Sequence, residues 1–300
     1  MKGSHVRIWL QQIRAPFLIL AVVLVFIGIA VARWEGDTDV GNALLLMVGV
    51  VLAHASVNLF NELSDSRTGI DRDTRRTPFS GGSGMLQAGL TSVRAVTLAA
   101  YATLIAAAAI GFYFCLVSGW LILGFMICGG LAIRFYTSHF ARWGIGEAIS
   151  GITLGSFVVL GTRYALGGHL SWAAVWASVP AGILTSLLLF LNEFPDMEAD
   201  QKGGRRHLVI MFGRRRSSRI YIAGLASVYV VILAAPFVVR VPDTVFIALL
   251  TLPLAARAGY WTFVHYDDAV RLVPALALNV AVVILTDLLL AAGFLLGSRP

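Results

Sequence analysis

The sequence predicts an all-α fold: a polytopic membrane bundle of about nine transmembrane helices, arranged as two four-helix halves plus one helix around a central cavity. Three observations carry this. Hydrophobic residues make up 58% of the 300 and charged residues only 13%, against roughly 25% charge in ordinary soluble domains. Mean hydropathy is +0.82. Apolar runs of the roughly 20 residues needed to cross a bilayer as a helix recur along the whole chain. Barrel strands of about ten alternating residues do not fit runs so uniformly apolar, and lipid requires each backbone polar group to be satisfied internally.

In order, the spans fall near Ala15 to Ala32, Gly41 to Phe60, Ala95 to Val117, Gly119 to Phe135, Gly144 to Leu166, Trp172 to Phe194, Ile220 to Val239, Thr244 to Phe263 and Val273 to Leu296. The first follows Lys2, Arg7 and Arg14, as the core of a secretory leader would. Its apolar stretch is long and no Ala-x-Ala site closes it, so it is expected to remain as a span. Cys115 and Cys128, the only cysteines, lie inside spans away from any oxidising compartment and read as packing residues. Residues 1–300 thus read as one membrane-embedded domain with two polar loops, 61–94 and 193–219.

Nine spans put alternate loops on opposite sides. Arg33, Arg163, Arg240 and Arg299 then fall on one side and the other nineteen of the 23 Lys and Arg on the opposite side. The positive-inside rule places the N-terminus and both polar loops in the cytoplasm and the C-terminus outside. An integral protein of a bacterial or archaeal cell membrane is expected. Topology and anionic headgroups account for most of the +7 net charge, and no nucleic-acid partner is expected.

The two polar loops mix acids with bases, which topology alone does not require. The first carries Asn61 and Asp65, four apart and so on one face if the second span continues by a turn, then Asp71 after Gly69. The second carries Asn192, Asp196 and Asp200 at two successive four-residue steps. Carboxylates stacked in this way repel and are costly near a bilayer unless a cation compensates them. Mg²⁺ takes hard oxygen ligands, keeps several waters and is completed by phosphate oxygens. The basic neighbours Arg67, Arg72, Arg75, Arg76, Lys202, Arg205 and Arg206 suit the remaining phosphate charge. A pyrophosphate ester is the ligand this suggests; the plainer alternative is two solvated loops whose acids and bases pair among themselves. Asn192 follows Asn61 by 131 residues, at the end of the sixth span where Asn61 stands at the end of the second. Four spans separate them, so both motifs point the same way, as an internal duplication would place them.

The pattern Asn61, Asp65, Gly69, Asp71 and the pattern Asn192, Asp196, Asp200 resemble the two aspartate-rich motifs of the UbiA-superfamily intramembrane prenyltransferases. The likeness extends to R-R-T-P-F-S-G-G-S-G from Arg75, Y-T at Tyr136, G-x-G-E from Gly144 to Glu147, and R-A-P at Arg14. It implies Mg²⁺-dependent transfer of a polyprenyl group from its diphosphate to a small, commonly aromatic acceptor. By the same resemblance Asn61, Asp65, Asp71, Asn192, Asp196 and Asp200 would hold the Mg²⁺, Arg72, Arg76 and Lys202 would be counter-charges to the diphosphate, and Tyr136 would sit near the reacting allylic carbon. Two positions depart from the family pattern. Glu62 stands where many members have a second Asp, and His139 and Arg142 stand where some place a lysine, so Tyr136, His139 and Arg142 are the acceptor-side candidates. The spacing from Asp65 to Asp71 looks most like the 1,4-dihydroxy-2-naphthoate polyprenyltransferases of menaquinone synthesis.

Other features receive blander readings. The Gly81 to Gly84 run lacks the Lys-Ser/Thr ending of a P-loop and reads as a flexible loop. His54 reads as a packed histidine, and His265 with Asp267 and Asp268 lacks metal-ligand spacing. A secondary transporter for an organic anion or cation is the alternative from another class, but it would place its acids nearer the bilayer midplane. The D-x-x-D-G-x-x-A-R signature of the membrane CDP-alcohol phosphotransferases is absent.

Overall fold

A computed structural model of the chain describes residues 5–37, 39–68, 79 and 82–299, and shows helices and loops with no strand among them. A short amphipathic helix, α1 (His5–Gln12), precedes the first apolar helix, α2 (Ala15–Trp34). Then follow α3 (Val40–Thr68), α4 (Val93–Val117), α5 (Leu121–Phe135), α6 (Gly146–Gly167), α7 (Trp172–Lys202), the one-turn α8 (Leu208–Phe212), α9 (Arg214–Leu233), α10 (Asp243–His265) and α11 (Val273–Leu296). Eight of these are long and apolar enough to span a bilayer. The remaining expected span, the fourth in order, is α5, which has fifteen residues, but a π-turn (Tyr136–Phe140) and a further helical turn (Ala141–Trp143) continue it.

α11 packs on α2, α7 and α10, and α2 packs also on α3 and α6. The apolar stripes decide who sits inside. α2 is apolar on all sides and buries Leu24, Ile27 and Val31 completely, as expected of a central helix. α4 and α5 instead turn Leu98, Ile105, Leu116, Ile127 and Leu131 outward, the surface a lipid-facing helix presents.

Small residues set the closest approaches, as in other membrane bundles. A Cβ at Gly155 of α6 would stand 2.6 Å from the Cα of Gly182 of α7, so both helices pack backbone to backbone there. Gly28 does the same for α2, where a Cβ would meet the backbone oxygen of Val159 at 2.8 Å. Ser92 and Ser171 cap α4 and α7, each accepting a backbone N–H three residues on at 3.1 Å.

α3 with 29 residues and α7 with 31 exceed the roughly 20 that cross the hydrocarbon. Their polar C-terminal turns therefore emerge on one side of the bundle. At the opposite end, wholly buried Arg163 pairs with Glu35 and, at 2.9 Å, with Asp37, and its Nη2 stands 2.9 Å from His169.

Candidate active site

The C-terminal turns of α3 and α7 converge on a cavity of about 210 Å³. Asn61 and Asp65 enter from α3, and Asn192, Asp196 and Asp200 from α7, so five of the six expected oxygen ligands line one space. Asp71, Arg72, Arg75 and Arg76 lie outside the described residues. Tyr136, at the end of α5, also lines the cavity, and its hydroxyl packs against Gly146.

The motif side chains come from the turns where the helices emerge, and Phe17, Leu20, Leu154, Leu188 and Leu189 line the cavity together with the polar Asn58, Ser150 and Thr185. His54, which the sequence left without a role, is buried and lines the same cavity.

Among the described residues, Arg205 is the basic neighbour of the motifs that the fold brings in. Its Nη1 donates to Asp200 Oδ1 at 2.7 Å and its Nη2 to Asp65 Oδ1, so one guanidinium ties the two motifs together. Burial disfavours its charge, but Asp65 and Asp200 outweigh burial and hold it protonated above its ordinary range. Lys202 and Arg142 are exposed and do not line the cavity, and the same is true of His139 and Arg206. Helical geometry explains Lys202: two residues beyond Asp200 is about 200° around the helix, away from the motif face.

Arg14 reaches the cavity from the other side. It is the one non-glycine residue at positive φ (52°) among the described residues, at the break between α1 and α2. Its Nη2 donates to Glu62 Oε1 at 3.0 Å. Glu62 is completely buried and also accepts from Gln12 Nε2 at 3.4 Å and from Ser83 Oγ at 2.8 Å. Its carboxylate therefore anchors α1 and the Gly82 to Gly84 backbone, and lies off the cavity wall.

Glu193 and His207 also line the cavity, and buried Glu147 comes together with them there. Glu147 Oε1 accepts the Leu208 N–H at 2.7 Å, which fixes the start of α6 against α8. The sequence marked Glu147 only as part of G-x-G-E and gave Glu193 and His207 no role. Their nearness is a product of three separate elements, with no spacing signal to reveal it.

The sequence profile of the UbiA prenyltransferase family matches residues 21–295. The chain belongs to the UbiA prenyltransferase family. It is thus a membrane prenyltransferase. A 1,4-dihydroxy-2-naphthoate octaprenyltransferase of Bacillus subtilis is 26% identical over 86% of this chain and 82% of its own length. The Escherichia coli protein of the same name is 25% identical, covering 98% and 97%, and a 2-carboxy-1,4-naphthoquinone phytyltransferase of Synechocystis is 23% identical, covering 96% and 93%. Among solved structures, an apo UbiA homolog from Aeropyrum pernix superposes with a TM-score of 0.71 at 18% identity, covering 93% of this chain and 96% of that one. A UbiA homolog from Archaeoglobus fulgidus bound to DMAPP and Mg²⁺ gives 0.58 at 19% identity, covering 94% and 98%. At these identities the structures share the UbiA fold.

Proposed function

We propose that this prenyltransferase moves a polyprenyl group from its diphosphate to a small aromatic acceptor in a Mg²⁺-dependent reaction, with a dihydroxynaphthoate as the acceptor. The observation that carries the reading is the convergence of the α3 and α7 motifs on one cavity that Phe17, Leu20, Leu154, Leu188 and Leu189 also line. A polyprenyl diphosphate likewise combines a polyanionic head with a hydrocarbon tail. The naphthoate assignment draws on the names of the relatives, and the magnesium on the Mg²⁺-bound neighbour.

The donor set fits the ion. Asn61, Asp65, Asn192, Asp196 and Asp200 offer only oxygens, as Mg²⁺ prefers, and Asn192 Oδ1 is buried with no hydrogen-bond partner in the structure. Asp71 completes the set by sequence. Bound there, Mg²⁺ supplies charge that stabilises the departing pyrophosphate. Arg205 holds Asp65 and Asp200 in register, and with Arg14, Arg72 and Arg76 it supplies cationic charge toward the diphosphate. Phe17, Leu20, Leu154, Leu188 and Leu189 seat the first isoprene units and exclude water from the allylic carbon. The Tyr136 ring, on the cavity wall, would stabilise positive charge at that carbon, worth roughly 2 kcal/mol when desolvated. Ionisation transfers the C–O bonding pair to the diphosphate; the acceptor ring carbon then bonds the allylic carbon and loses its proton.

The orientation follows the charge asymmetry, with both motif ends and the N-terminus in the cytoplasm and residue 299 outside. Residues 1–300 act as one domain. The test is mass spectrometry of products after membranes bearing the protein are incubated with geranylgeranyl diphosphate and a panel of aromatic acceptors, with Mg²⁺ or with EDTA. A prenylated dihydroxynaphthoate formed only with the metal supports the reading. Prenylation of a different acceptor, or full turnover in EDTA, overturns the corresponding part.

A further inference from the structure

The Glu147, Glu193 and His207 cluster has the marks of a binding site in its own right. Glu147 stands at the start of α6, Glu193 on α7 and His207 immediately before α8. Their relative exposures are 3%, 8% and 2%. One ligand atom from each lies within 4.8 Å of those of the other two. Glu147 Oε2, Glu193 Oε2 and both ring nitrogens of His207 make no hydrogen bond. The His207 ring lies between carboxylates, with Nδ1 3.6 Å from Glu193 Oε2 and Nε2 3.3 Å from Asp200 Oδ2.

Two carboxylates and an imidazole buried at this spacing, with unused lone pairs converging, are costly unless a positive centre joins them. Among the described residues, the nearby cation Arg205 is engaged by Asp65 and Asp200. We propose that Glu147, Glu193 and His207 form a second divalent-cation site, for a transition ion such as Zn²⁺ or Mn²⁺, beside the oxygen-only diphosphate motifs on the wall of the same cavity. The donor set directs the choice of ion. Imidazole favours zinc and its neighbours, carboxylates accept zinc or manganese, and Mg²⁺ seldom takes nitrogen.

With Nδ1 as the ligand, Nε2–H faces Asp200, the arrangement in which a metal-bound histidine donates its other N–H to a carboxylate. The ion joins the start of α6, α7 and the α8 segment. Where the proposed function holds, it also orients a diphosphate-site residue, since Asp200 Oδ1 accepts from Arg205 and its Oδ2 faces His207. Two glutamates sharing a proton with no ion between them is the competing arrangement.

The test uses the full-length protein in detergent, free of tag histidines, stripped of metal, and with no diphosphate present. Zn²⁺ is titrated in competition with a chromophoric chelator. The expected result is one Zn²⁺ per chain, bound tighter than about 1 µM. Glu147→Gln and His207→Gln should weaken it by about 100-fold or more, while the Asp65→Asn/Asp196→Asn double variant should retain it. The last comparison separates this site from the diphosphate motifs, so it can fail or stand independently of the proposed reaction. If the ligand variants do not fold, Mn²⁺ bound to the Asp65→Asn/Asp196→Asn double variant still decides. Pulsed EPR should show a directly coordinated imidazole nitrogen, which the Asn/Asp motifs cannot supply, and His54→Gln should leave that signal in place. Absence of sub-micromolar Zn²⁺, loss of binding only in the motif double variant, or a Mn²⁺ spectrum without coordinated nitrogen would each overturn the proposal.

Discussion

Arg205→Gln is the substitution whose outcome the structure specifies most closely. The guanidinium donates to Asp200 at 2.7 Å and to Asp65, and the side chains of Arg205, Asp65 and Asp200 are 19%, 9% and 5% exposed. Removing one partner of a buried ion pair costs about 3–5 kcal/mol, and hydrogen bonds to charged groups contribute about 1.5–3 kcal/mol each. The residual exposure of Arg205 and the one donor retained by Gln put the loss near the lower end, at about 3 kcal/mol. Asp65 and Asp200 then lose the cation that bridges them, so the metal-free variant should melt several degrees below the parent. Mg²⁺ should narrow that gap, because in the parent the guanidinium competes for the same carboxylate oxygens and in the variant it does not. An ion bound at a hundred times its Kd stabilises by about 2.7 kcal/mol, enough to restore most of the loss. The assay is thermal unfolding in detergent micelles with EDTA and across a Mg²⁺ series, with Arg205→Lys as the conservative control. An unchanged melting temperature in EDTA would show that Arg205 does not hold the motifs together. A gap that Mg²⁺ leaves constant would show that these carboxylates are not where the ion binds.

Three other outcomes are expected. Asp65→Asn and Asp196→Asn should each lower kcat by roughly 10² or more, and the double variant should lose much less than the product, since both act on one diphosphate; near-normal turnover in either single variant removes that carboxylate from the site. In a background with Cys115 and Cys128 replaced by alanine, Lys202→Cys should react with a membrane-impermeant thiol reagent only from the cytoplasmic side and Arg299→Cys only from outside, and the reverse pattern inverts the topology. Gly155→Val should lower the melting temperature, because its Cβ would meet the Gly182 backbone at 2.6 Å and overpacking of this kind costs about 1–3 kcal/mol; an unchanged melting temperature would mean that α6 and α7 separate freely.

The helical class was legible because lipid permits so few alternatives: apolar runs of bilayer length must be helices. The same chemistry made the ends of α3 and α7 conspicuous, since Asn61, Asp65, Asn192, Asp196 and Asp200 are too polar for the hydrocarbon and recur at helical spacing. Their common side followed from counting spans between them. The charge asymmetry is sharper than the count suggested, because Arg163 is no loop residue but a wholly buried partner of Glu35 and Asp37.

Tertiary structure decided which neighbours of those motifs belong with them. Lys202 is nearer in sequence to Asp200 than Arg205 is, yet the helix turns it away, and the chain reverses after Gly203 to bring Arg205 back between the motifs. Glu62 reads as one more acid in an acidic motif, but one residue past Asn61 it lies about 100° around α3 and meets Arg14, Gln12 and Ser83 instead of the cavity. Glu147, Glu193 and His207 are separated by 46 and 14 residues, and only the packing of α6, α7 and α8 puts them within reach of one ion. Sequence fixes what lies on one face of one helix, because that depends on local periodicity; which faces meet depends on the summed packing of all the helices, and no single segment encodes it.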